Sequence, residues 1–549
     1  MIRNPKGDPP PISEQRRARE IFLQGEGLRI DAYAGTGKTS TLKLLADASP
    51  QKGLYLAFNR SIAEEAKQKF PIQVTCATGH SIAFRHVLRN FGYPEWKLTG
   101  SLTPNIVAAS FTMPDFVSFR SGLNLPKRTY CSILLDAIRQ FLQSDDEEPQ
   151  PKHIPRVGCF QTMPEADFED FTQQSVSHVR SIWKAMRHRQ EGFPLGHDGY
   201  LKLWALSKPK AQVDYIMVDE AQDLNPVLVG VLRSIDCPVI YVGDPYQQIY
   251  EWRGAINVMA QLPSRHSVLL SQSFRFGKAI ADAATVILRQ LGAKEPLRGL
   301  ADMESHLARV IPDAILARSN AGVIASVLQC LSKGITCHVL GGTRELERVL
   351  YDVERVKQGA IAQSPELLGF HTWKDVMTFS AQPEGEYLRS LVTLVQQYGE
   401  QTMLRAITRC EPEERTARVI CSTAHKAKGR EWEYVRVESD FDAAISRASR
   451  LSRADGGARE RRTSLEAENR ILYVAMTRAQ RGVHIPSTVM SRLGLKPTSA
   501  EILGRQTKGT AAQSTFNNTD MHITTAISPY HAPQKNDSRE MAALRKIFR

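Results

Sequence analysis

No apolar run in the chain approaches the roughly 18 to 20 residues that a membrane-spanning helix requires. The first residues, Met1 to Pro11, are polar and proline-rich, unlike the basic and then apolar series of a secretion signal. These absences argue against a helical membrane protein and predict a cytoplasmic location, nucleoid-associated if bacterial. Cysteine is sparse: Cys76, Cys131, Cys159, Cys237, Cys330, Cys337, Cys410 and Cys421 form no C-x-x-C pair and have no clustered histidines. That scatter predicts reduced thiols, with neither zinc nor an iron–sulfur cluster. An acidic excess is also missing. Lys and Arg number 71 against 58 Asp and Glu, a net +13, which favours a polyanionic partner while saying nothing about fold.

What is present points to several domains. The 549 residues are 42% hydrophobic, enough for two to four cores. Short runs rich in Val, Ile and Leu recur, each followed by a polar or glycine turn: Leu28 to Ala32, Leu54 to Phe58, Tyr215 to Val218, Val239 to Val242, Val268 to Leu270, Ala314 to Ala317 and Val419 to Ser422. Such runs predict buried parallel strands, and the helical period between them predicts alternating β and α units in a doubly wound sheet. Two stretches break the pattern. Residues 86–205, with helical segments such as Tyr130 to Gln143 and Gln174 to Arg189, predict a mostly helical insert, and residues 344–410 a shorter one. After residue 486 the chain turns rich in Ser, Thr, Asn and Gln, which predicts a flexible tail ending in a short basic helix over Met541 to Phe548.

Chemistry enters at Ala32-Tyr-Ala-Gly-Thr-Gly-Lys-Thr39, placed between a predicted strand and a predicted helix from Lys38 to Ala46. Glycines at 35 and 37 let the backbone N–H groups of residues 34 to 40 (Ala34, Gly35, Thr36, Gly37, Lys38, Thr39, Ser40) converge on phosphate oxygens. Lys38 reaches the outer phosphates and Thr39 can ligate Mg²⁺. Ala32 stands where the general phosphate-loop pattern has its first glycine. A second element is Tyr215-Ile-Met-Val-Asp-Glu-Ala-Gln-Asp223, an apolar strand ending in carboxylates. Asp219 can hold Mg²⁺ and Glu220 can orient and deprotonate a water. A glycine turn before a helix and acids after a strand are each commonplace, but together they complete a site for hydrolysing a nucleotide.

With these motifs in hand, the sequence resembles the UvrD/Rep-like superfamily 1 DNA helicases, and further motifs follow in that family's order over residues 12 to 485. Gln15 resembles the glutamine that reads adenine. Val242-Gly-Asp-Pro-Tyr-Gln-Gln-Ile-Tyr-Glu-Trp-Arg-Gly-Ala255 is similar to the third motif, in which Gln247 senses the terminal phosphate and Tyr250, Trp252 and Arg253 face DNA. Ser271-Gln-Ser-Phe-Arg275 supplies Phe274 to stack on adenine and Arg275 for the terminal phosphate. Ala317-Arg-Ser-Asn320 is similar to the segment that begins the second domain's core. Ser422-Thr-Ala-His-Lys-Ala-Lys-Gly-Arg-Glu-Trp432 supplies Glu431 beside the nucleotide and His425 beside DNA. Tyr473-Val-Ala-Met-Thr-Arg-Ala479 supplies Arg478 as the arginine finger. Phe58, Thr78 and His80 are further DNA contacts that the resemblance implies.

The resemblance implies two RecA-like P-loop NTPase domains, the first at 1–85 and 206–270 and the second at 271–343 and 411–486, using ATP and Mg²⁺ to move on single-stranded DNA or single/double-strand junctions, with 3′ to 5′ polarity by family habit. Leu54-Tyr-Leu-Ala-Phe-Asn-Arg-Ser-Ile-Ala63 and His425-Lys-Ala-Lys-Gly-Arg-Glu-Trp-Glu-Tyr434 look like the F-box DNA helicase branch, although the few residues before Gln15 leave no room for an F-box. Two departures stand out: Arg430 occupies a usually apolar position, and the second insert is short. The inserts and the tail of 487–549 are where a protein partner, such as a nuclease, repair or replication factor, would dock. An alternative reading is therefore an ATP-controlled switch gating a partner nuclease. Arg447, Arg450, Arg453, Arg459, Arg461 and Arg462 lie in a stretch that reads as a solvated linker or, alternatively, as a contact with duplex backbone.

Overall fold

The computed structural model describes residues 10–119, 124–156, 160, 163–190, 192–249, 258–262, 264–360, 362, 364, 367, 370, 372–382, 385–453 and 458–504. It divides into two compact units, Met1–Tyr33 with Gly37–Leu270, and Ala34–Thr36 with Ser271–Arg549.

The first unit is built on strands β1 (Leu28–Ala32), β2 (Gly53–Ala57) and β3 (Val74–Thr78), then, after a small antiparallel pair β4 (Phe116–Ser118) and β5 (Asn124–Pro126), on β6 (Tyr215–Val218), β7 (Val239–Gly243) and β8 (His266–Leu270). Six of these form one parallel sheet in the order β3-β2-β6-β7-β1-β8. Every residue of β6 and β7 is buried. That is why they read in the sequence as unbroken apolar runs, since a parallel sheet covered on both faces has no polar side to alternate with. Tyr215, Met217, Ile240 and Val242 pack on one face with Leu28, Leu42 and Phe22, while Ile216, Val218, Val239 and Tyr241 pack on the other with Val229 and Leu232.

The helical insert has its own core. Helices Lys127–Gln143, Glu165–Arg187 and Gly196–Leu206 enclose Tyr130, Phe141, Phe171 and Trp183, with Phe160 stacked on Phe171 at 4.9 Å. This core reaches back to Ala83 and Val87 on helix Gly79–Arg89, so the helical layer begins before residue 86.

The second unit contains β9 (His306–Leu307), β10 (Ala314–Ala317), β11 (Cys337–Val339), β12 (Val419–Thr423), β13 (Trp432–Val437) and β14 (Ala479–His484), again one parallel sheet, ordered β11-β12-β10-β13-β14-β9. Both sheets bear out the doubly wound expectation. The short insert supplies helices Arg344–Lys357, Trp373–Ala381, Glu386–Tyr398 and Glu400–Ile407, whose apolar side chains share a core with helix Asn320–Ser332. Asp440 fastens the turn after β10, accepting hydrogen bonds from the Arg318 and Ser319 main-chain nitrogens at 2.9 Å, while the Arg318 guanidinium grips Glu468 at 2.6 and 2.8 Å.

Two expectations are corrected. The arginine-containing stretch is not a linker but runs through helices Asp440–Arg453 and Ala458–Met476. Nor is the chain after residue 486 tail throughout: helix Ser487–Leu493 buries Val489, Met490 and Leu493, and Leu503 bridges to Val310. Apolar side chains at helical spacing outweigh the polar composition around them. The basic terminal helix expected over Met541 to Phe548 lies outside the described residues.

Because Trp183 is fully buried in the helical insert, Trp183→Ala is expected to cost about 3–5 kcal/mol there. Hydrogen exchange should then accelerate in helices Lys127–Gln143 and Glu165–Arg187 while β6 and β7 stay protected.

Candidate nucleotide site and nucleic-acid interface

Parallel strands send all their carboxyl ends to one edge, and β6, β7 and β1 are neighbours in the first sheet. The segments leaving them, Asp219-Glu220, Asp244 and the glycine loop, are therefore gathered together, as ligand sites in open α/β sheets generally are. In the loop, Gly35 and Gly37 adopt left-handed φ of +74° and +77°, a conformation natural to glycine. Gly37 caps helix Lys38–Asp47, so that helix opens with its free N–H groups on the loop. A Cβ on Gly35 would come within 2.5 Å of Ser273 Oγ and 2.6 Å of Arg275 Cβ. Phe274 N–H donates to the Gly35 carbonyl at 2.8 Å, and Ala34 N–H donates to the Tyr473 hydroxyl at 2.9 Å. Thr36 is buried and Ser40 exposed.

Lys38 Nζ lies 3.2 Å from Glu220 Oε1. Thr39 Oγ1 donates to Asp219 Oδ2 at 2.8 Å, and the Tyr55 hydroxyl donates to the same oxygen at 2.7 Å. Burial alone would lower the Lys38 ammonium, but Glu220, Asp244 and Asp219 outweigh it and hold it above its ordinary value. Asp219 is pushed up, first by burial and then by the charge of Glu220. Three carboxylates thus crowd one ammonium in a buried setting. Hard oxygens from Thr39 and Asp219 beside this negative excess fit a divalent cation, and the glycine cradle with Lys38 fits a phosphate chain.

Glu220 itself has φ +51°, one of two non-glycine residues with positive φ among those described. Such strain persists only where surroundings impose it; here Glu220 N donates to Asp219 Oδ1 at 2.9 Å and the Glu220 carbonyl accepts from Asp223 N at 2.9 Å, and Gln222 holds the carboxylate. Gln222 Nε2 donates to Glu220 Oε2 at 2.5 Å, while Gln222 Oε1 accepts from Asp244 N at 3.0 Å. A Cβ on Gly243 would stand 2.4 Å from that same Oε1, so only glycine admits the amide. Asp244 in turn accepts from Gln247 Nε2 at 2.7 Å. Gln15, buried at the start of helix Ser13–Leu23, donates to Thr41 Oγ1 at 3.1 Å, and Thr41 donates to the Gly37 carbonyl at 2.9 Å, tying the glutamine to the phosphate loop. Sequence reasoning assigned no role to Tyr55, Gln222 or Thr41. Their parts rest on distant partners, and only the glutamine within Asp-Glu-Ala-Gln-Asp offered a local signal.

In the second unit, Trp432 pairs with Ala479, so Glu431 and Arg478 stand side by side at the starts of β13 and β14. Arg275 Nε meets Glu431 Oε2 at 2.6 Å and its Nη1 donates to the Thr477 carbonyl at 3.1 Å. Arg478 is 2% exposed, its guanidinium donating to the Val474 carbonyl at 2.9 Å and to Thr477 Oγ1 at 3.2 Å. Phe274 is 38% exposed. Of the candidate nucleic-acid contacts, Phe58 follows β2 and is exposed, and Thr78 ends β3 beside it, with Ala57 and Thr78 in register. The Thr78 hydroxyl caps helix Gly79–Arg89, accepting from Ser81 N at 3.1 Å. His80 Nε2 is 3.7 Å from Asp198 Oδ1. His425 is half-buried just beyond β12. Tyr250, Trp252 and Arg253 lie outside the described residues.

Folded Asp219 holds its proton more tightly than an unfolded aspartate. Its ionisation therefore weakens the unliganded protein as pH rises through the raised value, and that cost is relieved below it. Cation-dependent nucleotide binding is accordingly expected to weaken on acidification at a pH above 3.8, the ordinary Asp value, and the effect should vanish in Asp219→Asn. Titrating a fluorescent nucleotide across pH with each protein measures both outcomes.

Comparison with known proteins accords with this geometry. Residues 158–265 match the UvrD/REP helicase N-terminal domain model and residues 373–488 the UvrD-like helicase C-terminal domain model. The chain is 30% identical to F-box DNA helicase 1 of Gallus gallus over 542 residues, covering 91% of this chain and 52% of that protein. It is 28% identical to F-box DNA helicase protein 1 of Schizosaccharomyces pombe, covering 88% and 58%. The ATP-dependent DNA helicase PcrA of Leuconostoc citreum is 25% identical over 51% of this chain and 39% of its own length. The chain thus spans little more than half the length of the first two relatives. With the two models matched in order, one reaching into each parallel-sheet unit, the chain carries the N- and C-terminal domains of the UvrD-like helicases.

Proposed function

We propose that this chain is an ATP-dependent DNA helicase or translocase that moves on single-stranded DNA in the 3′ to 5′ direction. The observation that carries the reading is the cluster at the strand ends of the first sheet, where Lys38 meets Glu220 at 3.2 Å and Thr39 meets Asp219 at 2.8 Å. Lys38 and the N–H groups of the glycine loop bind the phosphate chain. Thr39 and Asp219 hold the divalent ion, Mg²⁺ in this reading, whose chemistry is to neutralise charge building on the phosphate oxygens. Glu220 orients a water and takes its proton, and Gln222 holds the Glu220 carboxylate in place for that task.

Arg275 and Arg478 supply the remaining positive charge by the family resemblance. In the second unit Arg275 is paired with Glu431 and the Arg478 guanidinium is turned onto main-chain carbonyl and hydroxyl oxygens. Their work on a terminal phosphate therefore requires these partners to be exchanged. Phe58 and Thr78, at the carboxyl edge of the first sheet, lie on the same edge as the phosphate loop, which suits strand binding coupled to hydrolysis. An exposed phenylalanine can stack on a base without reading its identity, as a motor that releases each base needs. The names of the relatives, DNA helicases in every case quoted, support the same substrate.

Lys38→Ala and Glu220→Gln are expected to abolish single-strand-stimulated ATP hydrolysis, and unchanged turnover in either would refute the assignment. Arg478→Ala should lower turnover by about 10³-fold or more while nucleotide still binds. On partial duplexes, unwinding is expected with a 3′ tail and not with a 5′ tail, a comparison that tests polarity separately from hydrolysis.

A further inference from the structure

Three of the chain's eight cysteines, Cys330, Cys337 and Cys421, converge at one place in the second unit, and a fourth, Cys410, reaches one of them. Cys337 opens β11 and Cys421 is the middle residue of β12. The register sets Cys337 opposite Val419 and Val339 opposite Cys421, so the two cysteines, offset by two residues, face the same side of the sheet. Helix Asn320–Ser332 covers that side and brings in Cys330. The three sulfurs lie within 4.8 Å of one another and all three residues are buried. Cys410, half-buried where the chain returns from the short insert, places its sulfur 4.0 Å from that of Cys337. The returning segment is held there by main-chain bonds, with Glu411 N–H donating to the Cys337 carbonyl and His338 Nδ1 bonded to the Glu411 carbonyl, both at 2.8 Å.

We propose that Cys330, Cys337, Cys421 and Cys410 form a binding site for a soft divalent cation, zinc in the cell. A tetrahedral Zn–S₄ centre has bonds of about 2.3 Å and therefore S···S edges of about 3.8 Å. The spread of at most 4.8 Å among Cys330, Cys337 and Cys421 and the 4.0 Å from Cys410 to Cys337 approach that edge; Cys410 lies outside the tight group of three and must swing inward to complete the centre. Single buried cysteines behave as small apolar residues, but four sulfurs from four separate segments are more than packing requires. On binding a dication, each thiol releases its proton to solvent as its sulfur ligates. The buried Arg436 guanidinium, whose charge is felt by Cys330 and Cys421, offsets part of the negative charge of the thiolates. The centre would fix the end of the helical insert to the sheet, because Cys410 closes the insert and the other three belong to the sheet and its covering helix.

The test is titration of the reduced full-length protein with Cd²⁺, followed by the sulfur-to-metal charge-transfer absorbance, and with Zn²⁺, followed by proton release. One Cd²⁺ per chain is expected to develop a thiolate band at neutral pH, and Zn²⁺ to release about four protons per ion. The band should be lost in Cys330→Ala with Cys421→Ala, fall by one thiolate's share in Cys410→Ser, and stay unchanged in Cys76→Ala. Absence of the band in the wild-type protein, or its persistence in the double variant, overturns the proposal. Proton release near zero does so as well, and being read on the wild-type chain it needs no variant to fold.

Discussion

Crowding of like charge at the end of a buried strand is the constraint on which the first unit turns. Asp219, Glu220 and Asp244 are brought together because β6 and β7 are neighbours and parallel, and one ammonium, Lys38, faces all three. Removing carboxylates from water is costly unless each finds a partner, and the surroundings supply them one by one. Tyr55 and Thr39 serve Asp219, Lys38 and Gln222 serve Glu220, and Gln247 serves Asp244. The arrangement is compact and gathers three carboxylates around one ammonium, which suits the divalent cation of the proposed function.

How much of this could be read from the sequence depended on how local the physics is. β6 and β7 were legible because burial on both faces leaves only apolar residues. β13, Trp-Glu-Tyr-Val-Arg-Val, and β14, Ala-Gln-Arg-Gly-Val-His, were not, since partly buried positions admit charge and interrupt the run. Lys38, Thr39, Asp219 and Glu220 announced themselves because a glycine loop before a helix and acids after a strand are single stretches of chain. Tyr55 and Gln222 look like any tyrosine in a strand or glutamine in a turn until the fold carries Asp219 and Asp244 to them. The cysteines show the same limit more sharply: spacing suggested isolation, and only strand register and helix placement bring them together.

Composition misled where periodicity ran against it. The arginine-rich stretch and the residues after 486 have the polar character of loops, yet helix Ala458–Met476 ends in a fully buried turn, Ile471 to Met476, and helix Ser487–Leu493 buries Val489, Met490 and Leu493. Leu472, Val474 and Met476 are fully buried, and the helix that carries them leads directly into Arg478 and β14. The position of that arginine is thereby set by apolar packing.

The amide of Gln222 is small, but it touches two things that differ in kind: a side-chain carboxylate on one side and the main chain of Asp244 on the other. An amide is rigid and planar, so it acts as a strut. A displacement of the Asp244 main chain is passed to the Glu220 carboxylate through these two hydrogen bonds, and a change at that carboxylate is passed back along them. Residues 244–249 lead straight into the segment that the family resemblance assigns to the strand. Chemistry and grip would then keep time through a single side chain, whose amide sits where a Cβ on residue 243 would displace it.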